Sequence, residues 1–405
     1  MISLQRYREL FRVPDVRKVL LASIAGRFPI GIAGLAILLF VQSRSTSFAL
    51  AGSASALYIL GLALIAPFLG RLIDRVGPRP VLIACALLYP AALSGLTVLV
   101  LTAAHPVWVN VMALAAGASL PPISVCIRTL YPRLIKDVSL LQTAYSVDSA
   151  VVEVVFILGP AFVAGCMAAG YPEVAILIAA ISAVVGTAVF ARARPIARWS
   201  VPLVRRPRSW LGALRPLQLR IVFGVTVLYS MGFGLFEVGV AAHAESAGHP
   251  SAAGIALALA SVGSGAGALV YGSRHWRAPL THQFMLALIT MAVGMLLLVP
   301  IDNLVLYSAA CVIAGVPMAT AIASQSLLVS RLAARERLAE SFTWATSCLL
   351  GGISAGFAAG GLMADTLAPY WLLVAAAGVT AAAALLVALS LKVDEAPRTS
   401  MDPRG

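Results

Sequence analysis

Long apolar runs separated by short polar turns make up most of this 405-residue chain. Each run is long enough to cross a hydrocarbon layer about 30 Å thick as an α-helix, because a helix rises about 1.5 Å per residue. The pattern predicts twelve spans, near residues 19–41, 49–69, 81–104, 107–127, 140–164, 174–191, 221–242, 252–272, 284–300, 304–328, 342–363 and 368–391. The sequence therefore predicts an all-α integral membrane protein.

A polar break after the sixth run divides the chain into two halves of six spans. The predicted boundaries are an N-terminal half at 1–195, a basic connector at 196–217, and a C-terminal half with a short tail at 218–405. Residues of the second span recur 202 positions later in the eighth, with Gly61 and Gly70 falling on Gly263 and Gly272. This repeat predicts two pseudo-symmetric six-helix bundles, related by an axis along the membrane normal, with a substrate site between them.

Composition excludes a soluble fold, and the positions of the charges predict the topology. Hydrophobic residues make up 60% of the chain and charged residues 11%, whereas soluble domains carry about 25% charged residues. Of the 29 lysines and arginines, all but Arg27 and Arg44 fall on one side of the predicted bundle. Basic loops face the cytoplasm, so both termini are predicted to be cytoplasmic. The net charge of +13 therefore reports topology, and no nucleic-acid partner is expected.

The reactive side chains do not form the pattern of an enzyme or a metal protein. The cysteines lie in or at the end of apolar runs without metal-ligand spacing, at Cys85, Cys126, Cys166, Cys311 and Cys348. No nucleophile-base arrangement or phosphate-binding loop is present in the sequence, so we expect neither an enzyme nor a cofactor. The first 18 residues are predicted to be either an amphipathic helix on the membrane surface or a disordered tail.

The most distinctive motif is the turn between the second and third spans, GRLIDRVGPR at residues 70–79. Its pattern Gly-x-Leu-x-Asp-Arg-x-Gly-x-Arg resembles the loop between helices two and three of the Major Facilitator Superfamily of secondary transporters. The resemblance implies the twelve-helix fold of that superfamily, alternating access between two bundles, and a small-molecule substrate. Within the superfamily, the chain resembles the bacterial twelve-helix drug and metabolite efflux type. This resemblance implies that the protein lies in the bacterial cytoplasmic (inner) membrane.

The same turn predicts a gate. Family resemblance and physics agree that a carboxylate at Asp74 would meet the N-terminal end of the eleventh span, where the helix dipole is positive. Three arginines are predicted to extend this contact, which gives a gating set of Gly70, Asp74, Arg75, Gly77, Arg79 and Arg128.

Four ionisable residues are predicted to lie within the membrane, where charge is costly and usually functional. Arg27 of the first span and Asp148 of the fifth lie about eight residues, or roughly 12 Å, from the basic side. Equal depth makes them a candidate ion pair. A fixed structural pair without a transport role is the competing interpretation, because a buried charge needs a partner in either case.

The histidines lie in loops or at span ends, so a carboxylate is the expected proton carrier. Glu153 is the first candidate, because it ends a stripe of Gln142, Ser146 and Ser149 at helical spacing that predicts a polar face turned to a cavity. Asp148 and Glu237 are the other candidates. Glu237, on the seventh span, is predicted either to hold a cationic group of a substrate or to be a solvated outer-gate residue.

Further candidates for the cavity are Tyr58, Ser149, Gln325 and Trp344, together with Arg27 and Glu237. Gly159-Pro160 in the fifth span predicts a kink, and the pair resembles the Gly-Pro signature of drug:proton antiporters in the superfamily without that signature's upstream glycines. The proton-coupling arginine that members of the superfamily carry in helix four would fall on Ala113, so it is absent here. We expect Arg27 to take over its electrostatic role.

These features predict a secondary transporter that couples proton movement to export of a small organic molecule. The expected partners are the substrate, protons and the lipid bilayer, and the expected oligomeric state is a monomer. Two alternatives stay open. One is uptake of an organic anion, with Arg27 binding its carboxylate or phosphate, and the other is a membrane receptor or scaffold that does not transport.

Overall fold

The structure is a computed structural model, and it describes residues 4–45, 48–199, 212–249, 252–364 and 367–391. This part of the chain is helical, and it contains twelve segments that are long and apolar enough to cross a membrane. The helices are α1 (Leu4–Arg12), α2 (Pro14–Ser45), α3 (Phe48–Val76), α4 (Pro78–Leu101), α5 (Pro106–Ser119), α6 (Ile123–Leu134), α7 (Val138–Ala168), α8 (Pro172–Arg192), α9 (Arg194–Ala197), α10 (Leu217–Ser246), α11 (Ala252–Ser273), α12 (Leu280–Leu297), α13 (Leu304–Leu332), α14 (Leu338–Ala364) and α15 (Pro369–Ser390).

The predicted twelve-helix fold is confirmed, but the fourth span is not one continuous helix. It consists of α5 and α6, which are separated by Pro121 and Pro122. Proline has no backbone N–H and disfavours helix for the residue before it, so two in a row end α5 at Ser119. The equivalent span of the second half, α13, carries Ala319 and Thr320 at these positions and stays continuous.

The two halves repeat the same close helix crossing. A Cβ atom on Gly117 would lie 1.8 Å from the carbonyl oxygen of Tyr58, and one on Gly315 would lie 2.0 Å from that of Ala260. Both distances are far inside van der Waals contact, so only glycine allows α5 to cross α3, and α13 to cross α11, this closely. Gly117 and Gly315 are 198 residues apart in the sequence. Tyr58 and Ala260 are 202 residues apart, which is the offset that relates the second and eighth spans.

We call α1–α8 the first half and α10–α15 the second half. Between them, α3 packs on α14, and α7 packs on α11 and α13. The rings of Tyr145 on α7 and Phe342 on α14 lie 6.1 Å apart, within an apolar core that both halves share. Most of the predicted connector and the C-terminal tail lie outside the described residues.

Candidate functional site

We use "basic end" for the end of the bundle where α3, α6, α11 and α13 finish and their arginine-rich turns begin. At this end the Asp74 carboxylate accepts hydrogen bonds from two backbone N–H groups of α14. The distances are 3.2 Å from Ala339 and 2.9 Å from Glu340. The first N–H groups of a helix have no partner within the helix and carry partial positive charge. Asp74 therefore joins the two halves at the place that the sequence predicted.

The arginine that supports this contact is Arg71, which sequence reasoning missed. Its Nε donates to the Glu340 carboxylate at 2.7 Å, so it offsets a second negative charge beside Asp74. The available signal was spacing, because residues i and i+3 share one helix face. Arg75 and Arg79, which were predicted to extend the contact, are exposed.

The glycines of the turn have distinct roles. A Cβ on Gly70 would lie 2.8 Å from the carbonyl oxygen of Ala339, so Gly70 lets α3 approach the start of α14. Gly77 has φ of 85°, a left-handed conformation that glycine adopts at little cost. It separates α3 from α4.

A second set of hydrogen bonds closes the basic end between α7 and α11. The side chains of Gln142 and Thr143 donate to the carbonyl oxygens of Tyr271 and Gly272, at 3.1 and 2.7 Å. The amphipathic helix α1 adds two more, since Arg6 donates to the carbonyl oxygen of Arg274 at 2.7 Å and Tyr7 to that of Leu269. Of the two predictions for the first 18 residues, the helix is found at 4–12, and it contacts α2 and α7 of the first half as well as α11 of the second.

Arg27 and Asp148 are paired, as their equal depth predicted, and Arg128 joins them. Arg27 Nη2 lies 2.5 Å from one carboxylate oxygen of Asp148, and Arg128 Nε lies 2.7 Å from the other. The prediction that Arg128 extends the Asp74 contact was therefore wrong. Two guanidinium groups share one carboxylate, which leaves the buried cluster with a formal charge of +1. Arg27 is fully buried, and its Nε and Nη1 have no hydrogen-bond partner among the described residues.

Glu153 lies at the contact between the halves, about 22 Å along α7 from its basic end. Its carboxylate accepts a hydrogen bond at 2.8 Å from the hydroxyl of Ser264 on α11. Ser264 also accepts the N–H of Ala319 on α13, at 3.0 Å. The prediction that the polar stripe of α7 faces a cavity is corrected for Gln142 and Ser146, which pack on α11. The buried hydroxyl of Ser149 has no hydrogen-bond partner among the described residues.

Glu237 of α10 lies close enough to Glu153 for the two carboxylates to repel each other. The described ion pairs join Arg27 and Arg128 to Asp148, Arg44 to Glu173 and Arg71 to Glu340. Neither Glu153 nor Glu237 is among them. In the turn that leads into Glu237, the rings of Phe233 and Phe236 stack with centroids 6.0 Å apart. Each half therefore contributes one carboxylate, without a cation partner, to this part of the bundle.

The remaining cavity candidates divide into two groups. Gln325 accepts a hydrogen bond from Tyr229 and lines a cavity of about 20 Å³ together with Arg128. This volume holds about one water molecule. Trp344 is half-buried, and its indole N–H has no partner among the described residues. Tyr58 lies in the core of the first half, with its hydroxyl 3.3 Å from that of Tyr89, so the structure does not place it at a cavity.

The Gly159-Pro160 pair lies inside α7, which is helical from Val138 to Ala168. A Cβ on Gly159 would lie 2.5 Å from the carbonyl oxygen of Gly31 on α2. In this structure Gly159 therefore serves close packing of α7 on α2. Within the described residues, no group of three or more metal-ligating side chains is found.

Comparisons with known proteins agree on a family. The sequence model of the Major Facilitator Superfamily matches residues 19–349. An uncharacterised MFS-type transporter of Sinorhizobium fredii, y4rN, is 29% identical over 279 residues, which cover 66% of this chain and 68% of the relative.

Solved structures share the fold at low sequence identity. The human organic anion transporter MFSD10 has a TM-score of 0.75 at 15% identity, over 92% of this chain and 99% of that one. A bacterial homologue of the iron transporter ferroportin, in an outward-facing state, has a TM-score of 0.77 at 15% identity, over 92% and 98%. The fucose:proton symporter FucP of E. coli has a TM-score of 0.66 at 12% identity, over 92% and 98%.

Proposed function

Because the chain belongs to the Major Facilitator Superfamily of secondary transporters, we propose that it couples the inward movement of protons to the export of a small organic molecule. The observation that carries this proposal is Glu153, a carboxylate deep in the bundle that bonds to Ser264 across the two halves. A group at this position changes its surroundings whenever the halves separate. It is therefore placed to bind a proton from one side and release it to the other.

We assign the basic end to the cytoplasm of a bacterium, with both termini there and the chain in the inner membrane as a monomer. The positive-inside rule supports this orientation. Most of the described hydrogen bonds that join the halves lie at the basic end, through Asp74, Gln142 and Thr143. With this orientation the structure corresponds to a state closed towards the cytoplasm.

The proposed cycle uses closure and opening in turn. In the state closed towards the cytoplasm, Glu153 is half-exposed, and its carboxylate takes a proton from the acidic side and no longer carries a charge. When the basic end opens, α7 and α11 separate, the hydrogen bond from Ser264 is lost, and water from the cytoplasm accepts the proton. The ionised carboxylate, with Glu237 nearby, then favours binding of a substrate that carries a cationic group, which leaves on the outward stroke.

Uptake of an organic anion is the second candidate, and one observation favours it. Two nitrogens of the Arg27 guanidinium have no partner among the described residues, and the cluster around Asp148 has an excess positive charge. An anionic substrate would need to reach this fully buried group. The two candidates differ in the direction of transport and in the charge of the substrate.

Everted membrane vesicles test the proposal directly. We expect that an imposed gradient, acidic inside, drives accumulation of organic cations, and that adding substrate to loaded vesicles releases protons, measured with a pH-sensitive dye. Accumulation of organic anions in right-side-out vesicles, with no response to cations in either orientation, would establish uptake instead. If a compound from a chemically diverse panel binds specifically but no compound of the panel crosses the membrane, the result would favour a receptor that does not transport.

A further inference from the structure

A concave pocket lies at the basic end of the bundle, on the side of the first half. Its volume is about 360 Å³, and it is bounded by the start of α2, the end of α6, and α9 with the residues that follow it. Three arginines line it, Arg133, Arg194 and Arg198, against a single carboxylate, Asp15. The lining therefore carries a formal charge of +2.

The side chains of these arginines are accessible to a ligand. All three are exposed, and none belongs to an ion pair in the part of the chain that the structure describes. Arg133 also lies within electrostatic reach of Asp74 and of Arg335, whose opposite charges offset each other there. Guanidinium groups bind phosphate oxygens through parallel N–H donors. The pocket is accordingly suited to a phosphate group.

The other walls of the pocket suit an amphiphile better than a free ion. Leu130 and Leu134, one turn apart on α6, form an apolar side, and Trp199 forms another. The Arg133 guanidinium lies 3.9 Å from the centroid of the Trp199 ring, a stacking that holds the charge in one place. The pocket lies where α6 and α8 leave the predicted membrane span, which is the depth of lipid headgroups, where tryptophan is enriched.

We propose that this pocket binds the headgroup of an anionic phospholipid. The phosphodiester lies among Arg133, Arg194 and Arg198, and the apolar part of the lipid contacts Leu134 and Trp199. Basic pockets between membrane helices are a general means of holding anionic lipids. The inference is independent of the direction of transport and of the proton carrier, because it concerns a site outside the substrate path.

Native mass spectrometry of the full chain in detergent tests the proposal by counting bound lipid. The probes are phosphatidylglycerol, phosphatidylcholine and inorganic phosphate. The variant is Arg194→Gln with Arg198→Gln, and the matched control is Arg220→Gln with Arg277→Gln, which removes two exposed arginines of the basic end outside the pocket. The melting temperatures of the wild-type protein and of both double variants are compared first. If a double variant melts at a lower temperature than the wild type, its two single variants are used instead.

We expect the first phosphatidylglycerol to bind more tightly than phosphatidylcholine, and the pocket variant to weaken it by roughly thirtyfold while the control does not, because each surface arginine contributes about one factor of five. Equal weakening in both double variants would overturn the proposal and show diffuse attraction. Equal binding of the two lipids would also overturn it. Displacement of phosphatidylglycerol by millimolar inorganic phosphate would show that the site takes free anions, and would overturn the lipid assignment.

Discussion

Ser264 of α11 donates a hydrogen bond to Glu153 of α7 at 2.8 Å, so a carboxylate of one half is held by a hydroxyl of the other. The Ser264 oxygen simultaneously accepts the backbone N–H of Ala319. Three helices therefore meet at one carboxylate in the interior of the bundle. This contact breaks if the halves separate at the basic end, which ties the environment of Glu153 to the conformation of the protein.

Glu153→Gln is expected to abolish substrate accumulation driven by a proton gradient and to preserve downhill exchange, because glutamine resembles protonated glutamate and does not titrate. Vesicle assays with and without the gradient measure both activities. Glu173→Gln is the control, since Glu173 is a half-exposed carboxylate that pairs with Arg44 at 3.3 Å at the opposite end of the bundle. Unchanged accumulation with unchanged pH dependence would exclude Glu153 as the carrier, and the same test then applies to Glu237 and Asp148.

Asp74→Asn is expected to weaken the closed basic end, because the charge at the N-terminus of α14 is lost. Charge and hydrogen bonding at a helix N-terminus contribute about 1–2 kcal/mol, so the population of open forms should rise roughly tenfold and transport should fall. Hydrogen exchange at the amides of Ala339 and Glu340 should become faster. Asp302→Asn is the control, because Asp302 is an exposed carboxylate elsewhere, and it should change neither transport nor hydrogen exchange. Normal turnover together with normal hydrogen exchange in Asp74→Asn would contradict the proposal that Asp74 forms a gate.

Removal of Asp148 is expected to be far more harmful than removal of Arg27. Asp148→Asn leaves two buried guanidinium groups without their carboxylate, which costs about 3–5 kcal/mol by the general behaviour of broken buried pairs. Arg27→Met leaves a balanced pair of Arg128 and Asp148 at 2.7 Å. Detergent-solubilised melting temperatures compare the two variants.

The same cluster distinguishes a structural from a functional arginine. If Arg27 serves transport, Arg27→Lys should fold normally and transport poorly, because an ammonium does not replace a planar fork of donors. A stable Arg27→Met variant with wild-type transport would eliminate Arg27 as a substrate ligand or coupling residue.

Alanine at either of two equivalent glycines is expected to destabilise the protein to a similar extent. Gly117→Ala and Gly315→Ala each place a methyl group within 2.0 Å of a carbonyl oxygen, and overpacking of this kind costs about 1–3 kcal/mol. Gly52→Ala and Gly254→Ala are the matched controls, since a Cβ there meets nothing within 4 Å. A fall in melting temperature for only one of the two variants, Gly117→Ala or Gly315→Ala, would contradict the structural repeat.

The depth of a residue along the bundle was predictable from sequence, and its direction around a helix was not. Arg27 and Asp148 were paired correctly because helical rise fixes depth. The prediction for Arg128 failed because depth does not tell which neighbour a side chain faces. Ser264 was missed for the same reason, since a serine in an apolar helix gives no sign of the carboxylate opposite.

Several contacts that close the basic end use only backbone atoms of the second half. Tyr7 and Arg6 donate to the carbonyl oxygens of Leu269 and Arg274, and Asp74 accepts N–H groups of α14. A backbone partner is present whatever side chain stands at its position. Related sequences can therefore change residues 269 and 274 without losing these contacts, and pairwise covariation between homologues will understate this interface even where it decides which conformation the protein adopts.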